Sequence, residues 1–280
     1  MPGPNPFAAD LALLGEAAIG AGKIATRHFK RGAKVWDKGD GQGPVTEADL
    51  EVNDYLHATL NAARPDYGWL SEESDPLGDM TRTAKPLTFV IDPIDGTRSF
   101  IDGQPGFAHA LAVVRDGLPV AAVVYLPVLD LTYSAVLGGG AHLNGAPITA
   151  SARGHAAGAT VLAARPVFDP EQWPGGLPAL ERHFRPSLAW RLSLVAEGRF
   201  DAMLTLRDAW DWDIASAALI ATEAGATVTD RGGGMLRFNR ETAKNRGVVA
   251  AGPTLHRALL DGLTDPKAES AALGAKGRPA

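Results

Sequence analysis

The segment Thr88-Phe89-Val90-Ile91-Asp92-Pro93-Ile94-Asp95-Gly96-Thr97 carries the strongest structural signal in the chain. Thr88 to Ile91 is a short apolar run of β-prone residues and predicts a buried strand. That strand delivers two carboxylates, Asp92 and Asp95, followed by a glycine and a hydroxyl. Pro93 has no amide hydrogen, so the sheet ladder is expected to end there, with the chain turning and projecting both aspartates into a cleft. A helix opening near Thr97 would offer free amides to an anion. Taken alone, the segment reads equally well as a turn whose Asp and Gly residues serve turn chemistry only.

Working outward, Phe7 to Lys30 predicts a helix, with Leu11, Leu14, Ala18, Ala21, Ala25 and Phe29 near helical spacing. Lys34 to Pro44 reads as a polar, glycine-rich loop. A second helix starts near Thr46, with Val52, Leu56 and Leu60 on one face. Phe107 to Arg115 and Val120 to Leu126 read as strands around an Asp116-Gly117 hairpin turn, and Asn144-Gly145 repeats that signal. Residues 1–150 therefore predict an α+β half, with helices beside a largely antiparallel sheet.

Residues 151–264 alternate and predict an α/β half. Thr160 to Ala164, Ala202 to Leu206 and Gly247 to Ala251 read as strands. Pro178 to Phe184, Ser187 to Gly198, Asp213 to Ala224 and Pro253 to Leu260 read as helices, the third closed by Gly225 and the last opened by proline. Residues 265–280 show no periodicity and read as a loose tail. No internal repeat is present.

Composition narrows the function. The chain has 280 residues, 27 Lys and Arg against 32 Asp and Glu, a net charge of −5, and 45% hydrophobic residues. A weakly acidic chain argues against nucleic-acid binding and stable membrane association. The absence of cysteine excludes thiolate nucleophiles, disulfides and cysteine-based metal sites. No basic n-region precedes an apolar core at the N-terminus, which predicts a cytoplasmic protein. The seven histidines are scattered, without HExxH pairing, and read as surface or ordinary core residues. Gly39, Gly41 and Gly43 match neither GxGxxG nor a P-loop.

Further acidic segments accompany the Asp92–Thr97 block. Ser71-Glu72-Glu73-Ser74 follows Leu70 and alone would be a solvated loop. Thr46-Glu47-Ala48-Asp49 fits a capping box, yet Asp49 falls on the apolar face of its helix, where a carboxylate needs a cation or donors. Asp213 opens a late helix, where acids commonly complement the dipole. Asp211-Trp212-Asp213-Ile214-Ala215 matches the DxDx[TV] nucleophile motif of haloacid dehalogenase-type phosphatases only superficially, because its fifth residue is alanine.

Val45-Thr46-Glu47-Ala48-Asp49, Ser71 to Ser74, Asp92 to Thr97 and Trp212-Asp213 with Glu223-Ala224-Gly225 occur in this order. Together they resemble the signatures of the inositol monophosphatase superfamily of lithium-sensitive, Mg²⁺-dependent phosphatases, from about Lys34 to Leu260. Leu70 to Glu73, Val123 to Val128 and Asp95 to Ile101 look most like the 3′(2′),5′-bisphosphate nucleotidase branch. The resemblance implies an α/β fold layered as an αβαβα sandwich, often dimeric, and a homodimer is therefore expected.

The resemblance also assigns roles. Glu72, Asp92 and the Ile94 carbonyl would hold one Mg²⁺, and Asp92, Asp95 and Asp213 a second; a third, weaker ion would sit near Glu72. Mn²⁺ suits the same oxygen ligands. Thr97 paired with Asp49 would orient and deprotonate the attacking water, with Glu72 also in the catalytic group. The Gly96 and Thr97 amides would cradle the phosphate, Asp213 would lie near the substrate, and Lys38 resembles a lysine many members carry in the early loop. By charge alone, Arg98, Lys38 and Arg191 offer cations suited to a second phosphate. Two cations about 4 Å apart can clamp an in-line displacement, and positioning with charge neutralisation suffices for a phosphomonoester.

Two departures bear on substrate. Leu206 stands where inositol-specific members place a hydroxyl-binding glutamate. Arg185-Pro186-Ser187 replaces a Gly-Ser stretch, which makes Ser187 a weak match. Trp190 or Trp212 would offer a stacking face for adenine if it lined the cleft. The expected substrate is 3′-phosphoadenosine 5′-phosphate, losing its 3′-phosphate; inositol 1-phosphate and histidinol phosphate are the alternatives. A catalytically inactive phosphate- or metal-binding regulator is the remaining contrast.

Overall fold

The computed structural model describes residues 5–39, 43–75 and 80–263. The expected loose tail, residues 265–280, lies outside them.

Two helices form the first layer. In α1 (Ala8–His28), Leu14, Ala17, Ala18, Ala21 and Ala25 are buried. In α2 (Glu47–Ala63), Ala48, Val52, Leu56 and Leu60 are buried. Between them the expected loop contains a small antiparallel hairpin, β1 (Val35–Asp37) with β2 (Pro44–Thr46). The helices cover one face of a seven-stranded sheet. Its strands, in spatial and chain order, are β3 (Gly68–Ser71), β4 (Leu87–Asp95), β5 (Ala108–Arg115), β6 (Leu118–Leu126), β7 (Leu131–Val136), β8 (Ala141–Leu143) and β9 (Ala146–Ile148). Only β3–β4 is parallel. Both expected hairpin turns are present: Asp116 and Gly117 take φ of 53° and 77°, and Asn144 and Gly145 take 49° and 79°, as two-residue turns of the primed type require. The short helix α3 (Thr97–Ile101) follows β4 directly.

The other face of this sheet packs on α4 (Leu188–Ala196) and α5 (Asp211–Glu223). Both helices are buried on nearly all sides, because a second sheet covers them. That sheet runs β11-β10-β12-β16-β14, built from β10 (Thr160–Ala163), β11 (Glu181–His183), β12 (Ala202–Thr205), β14 (Thr227–Thr229) and β16 (Val248–Ala251). A further two-stranded pair joins β13 (Ala209–Trp210) to β15 (Lys244–Asn245). The helix α6 (Pro253–Gly262) closes the outer face through Leu255 and Leu259. The order helix, sheet, helix, sheet, helix is the expected αβαβα sandwich. No helix among the described residues is long and apolar enough to cross a membrane.

Two elements differ from expectation. Pro178–Phe184 is not a helix: Glu181–His183 forms the edge strand β11, parallel to β10. Pro186 disfavours helical geometry just downstream, and the charged, mostly exposed Glu181-Arg182-His183 suits an edge, where charge discourages further pairing. Nor does Pro93 end the ladder, since β4 continues to Asp95.

Candidate active site

The continuation of β4 past Pro93 creates the site. β4 and β5 pair in step to Asp92↔Ala110, and again at Asp95↔Ala108. Pro93 and Ile94 together therefore face one residue, His109, which makes a β-bulge. Bulges are among the few places a sheet tolerates proline. In a regular strand, positions three apart point to opposite faces. Phe89 and Ile91 pack in the cluster under α1 and α2, and Val90 in the one around α5; past the bulge, Ile94 joins Phe89 and Ile91. Asp95 is thereby turned to the side of Asp92.

Both aspartates meet Asp213 from the first turn of α5. Each of the three offers a carboxylate oxygen within 4.8 Å of the others. Asp92 is fully buried, and its Oδ1 has no hydrogen-bond partner among the described residues. Burial first, then repulsion from Glu72, Asp95 and Asp213, pushes the Asp92 carboxyl well above the usual range. Asp213 is raised well above it by burial and by the charges of Asp95 and Glu72. Such a set is strained without a cation and supplies only hard oxygen donors, so it fits Mg²⁺ or Mn²⁺.

Asp95 is held from the second half of the chain. Ser187 caps α4 by accepting from the Trp190 amide at 2.9 Å and donates its hydroxyl to Asp95 Oδ2 at 2.6 Å; the Ala189 amide donates to the same oxygen at 2.7 Å. Burial raises Asp95 to about 6 against those donors. The proline in Arg185-Pro186-Ser187 hid this contact in the sequence, although Ser187 remained readable as a helix cap.

On the opposite side, Glu72 lies close enough to Asp92 for its charge to raise that carboxyl. Lys38 Nζ donates to Glu72 Oε1 at 2.9 Å and to Glu73 Oε1 at 2.7 Å. Burial opposes the Lys38 charge, but the two glutamates hold its pKa above the ordinary value. Burial lifts Glu73 to about 7 despite Lys38. In the sequence Glu73 stood inside the Ser71–Ser74 motif without a role of its own.

Asp49 serves two partners. Its Oδ2 accepts from the Thr46 amide at 2.8 Å and the Thr46 hydroxyl at 2.6 Å, completing the capping box, while Oδ1 lies 3.2 Å from Thr97 Oγ1. Thr97 Oγ1 is also 3.1 Å from the Ile94 carbonyl, so its single proton has two acceptors. Burial raises Asp49 to about 6, with the Thr46 bonds opposing. Gly96, between β4 and α3, has φ of +99°, and a Cβ there would come within 3.3 Å of the Gly106 carbonyl; only glycine makes this turn without strain.

The carboxylates open into a cleft of about 1120 Å³ whose walls include Gly96, Thr97, Arg98, Trp190, Arg191, Leu206 and Arg207. Lys38 is not part of these walls. Arg191 is buried and donates to the Arg185 and Pro186 carbonyls; burial lowers it to about 10, with Asp95 opposing. Trp212 stacks on Trp210 at 4.5 Å inside the core, so it offers no face to a base, whereas Trp190 lines the cleft.

Comparison with known proteins gives the family. The model of the inositol monophosphatase family matches residues 10–266. An inositol-1-monophosphatase of Mesorhizobium japonicum is 32% identical, covering 90% of this chain and 94% of its own. A histidinol-phosphatase of Chlorobaculum parvum is also 32% identical, covering 90% and 95%. Among solved structures, the extragenic suppressor protein SuhB of Bartonella henselae superposes with a TM-score of 0.77 at 27% identity, covering 92% of this chain and 100% of that one. The matched span takes in both sheets, the bulge and all three clustered aspartates, and the chain belongs to the inositol monophosphatase family of phosphatases.

Proposed function

We propose that this protein is a Mg²⁺-dependent phosphomonoesterase whose substrate carries a second anionic group besides the scissile phosphate, as 3′-phosphoadenosine 5′-phosphate does. The observation that carries the reading is the convergence of buried Asp92 and Asp95 with half-buried Asp213 beside a Thr97–Asp49 pair, at the floor of an open cleft.

Glu72, Asp92, the Ile94 carbonyl, Asp95 and Asp213 would hold two or three cations. When bound, such ions neutralise the phosphoryl oxygens and lower the pKa of water. The remaining work falls to the chain. Thr97 Oγ1 accepts a hydrogen bond from the attacking water and donates its own proton toward Asp49, whose raised pKa suits a proton acceptor near neutral pH. The Gly96 and Thr97 amides orient the phosphate. Asp213, at the cleft wall, would lie near the bound substrate. No covalent intermediate is needed.

Arg98 and Arg207 on the cleft wall supply cations suited to a second phosphate. Lys38, bridging Glu72 and Glu73, would reach a substrate only by leaving one of them, so the arginines carry this part of the proposal. Leu206 lines the same cleft and gives a polyol no acceptor for its hydroxyls. Inositol 1-phosphate and histidinol phosphate form the second reading, because the two relatives named above are called phosphatases of those compounds.

A phosphate-release panel tests this. Mg²⁺ should support turnover and excess EDTA should abolish it. 3′-Phosphoadenosine 5′-phosphate should show a higher kcat/KM than inositol 1-phosphate or histidinol phosphate. Arg98→Ala should weaken the bisphosphate more than a monophosphate. Turnover persisting in EDTA would refute the metal-dependent reading, no turnover of any phosphate ester with Mg²⁺ would favour a regulator, and a clear preference for inositol 1-phosphate would reverse the substrate ranking.

A further inference from the structure

The bulge that brings Asp92 and Asp95 together leaves a carbonyl outside the regular ladder. Pro93 and Ile94 face the single β5 residue His109, and the His109 Nδ1 lies 2.5 Å from the Pro93 oxygen. A carbonyl only accepts, so Nδ1 carries the hydrogen and the neutral ring is the Nδ1–H tautomer. His109 is fully buried. Burial lowers it to about 4, which keeps it uncharged. Its Nε2 is buried without a hydrogen-bond partner among the described residues, with the rings of Phe107 and Tyr125 as neighbours, each 6.3 Å away between centroids. An apolar side chain would fill such a place without burying an unpaired acceptor. The feature that an imidazole adds here is the donor to Pro93.

We propose that His109 is a positioning residue for the metal centre: by donating to the Pro93 carbonyl it locks the bulge that turns Asp95 onto the side of Asp92. This rests on the reading of Asp92 and Asp95 as metal ligands. The Ile94 carbonyl and the Thr97 hydroxyl follow the same segment, so the bulge also sets the position of the Thr97–Asp49 pair. His109 touches neither substrate nor ligand oxygens; it acts through the backbone between two of them, and loss of such outer partners typically costs about 10–100-fold in metal affinity or activity.

His109→Asn and His109→Leu carry the same number of side-chain heavy atoms, branched alike at Cγ, but differ in the donor. Asparagine places its amide nitrogen on Cγ, where histidine carries Nδ1; leucine has none. Mg²⁺ binding is measured by calorimetry on the metal-free proteins, with kcat and thermal stability alongside. The expected result is an Mg²⁺ dissociation constant raised about 10–100-fold in His109→Leu and close to wild type in His109→Asn, even though the asparagine protein melts lower. If the leucine protein does not fold, His109→Gln, whose amide sits one atom farther out, takes its place with the same expected loss. The metal-free wild type should also show the Nδ1–H tautomer in long-range ¹H–¹⁵N spectra. Wild-type Mg²⁺ affinity in the leucine protein, or affinities that track melting temperature across the variants, would overturn the role of His109. A wild-type protein that binds no Mg²⁺ would instead overturn the ligand reading beneath it.

Discussion

Asp92→Asn is expected to lower kcat by on the order of 10³-fold or more, a loss of about 4 kcal/mol of transition-state stabilisation, in a protein that still folds. Asp92 sits between Glu72, Asp95 and Asp213 and is the most enclosed acid of the cluster. An amide keeps the shape but removes the charge on which cations depend. The same substitution should raise the melting temperature of the metal-free protein, because it deletes a buried charge that repels three others. This combination distinguishes a ligand from a core residue, whose loss would lower stability with or without metal. Near-normal kcat in a folded Asp92→Asn protein refutes the assignment.

The stability effect carries a pH signature. Asp49 and Asp95 have folded-state values of about 6, above the roughly 3.9 of an unfolded aspartate. Between those values both aspartates hold protons in the native protein that the unfolded chain has released, so their contribution to metal-free stability falls as pH rises through this window. His109, lowered to about 4, opposes it, but it is one group against several raised acids. Burial and mutual repulsion also raise Asp92 and Asp213, which act in the same direction. Thermal melts in EDTA from pH 4 to 7 should show the decline, Mg²⁺ should abolish it near neutrality, and Asp92→Asn should flatten it. Rising stability over that range in EDTA contradicts the charge-repulsion argument.

Thr97→Ala is expected to cost about 10²–10⁴ in kcat, the range of general-base positioning, while Mg²⁺ affinity stays near wild type. Its hydroxyl bridges Asp49 and the Ile94 carbonyl but belongs to none of the clustered carboxylates. On the proposed reading the acids bind and the threonine relays, so binding and turnover should separate. Calorimetry showing lost Mg²⁺ binding in Thr97→Ala would deny that division.

The sequence was informative where one local pattern had one structural solution. Asp116-Gly117 and Asn144-Gly145 specify their hairpins through positive φ, and Thr46 with Asp49 specifies a capped helix. The three aspartates were legible as a group only because the Asp92–Thr97 and Trp212-Asp213 blocks occur together. Proline misled twice. Pro93 reads as a strand end, yet the bulge tolerates it, and the bulge rather than a turn aims Asp95. Pro186 masks Ser187, whose contact with Asp95 spans 92 positions, a distance at which local patterns carry no signal. Glu181-Arg182-His183 shows the complementary limit. Its pairing depends on the exposed edge beside β10, which exists only after the second sheet has formed. His109 looked like one more scattered histidine, because its partner is a backbone carbonyl whose need arises from the register of two strands.

The most direct measurement is anomalous diffraction from crystals soaked in Mn²⁺. A peak bounded by the carboxylates of Asp92, Asp95 and Asp213, lost in Asp92→Asn crystals soaked the same way, is the result expected. Fully occupied Mn²⁺ elsewhere, with no density among these three side chains in an enzyme that still turns over phosphate ester, would contradict the metal centre on which the proposed chemistry depends.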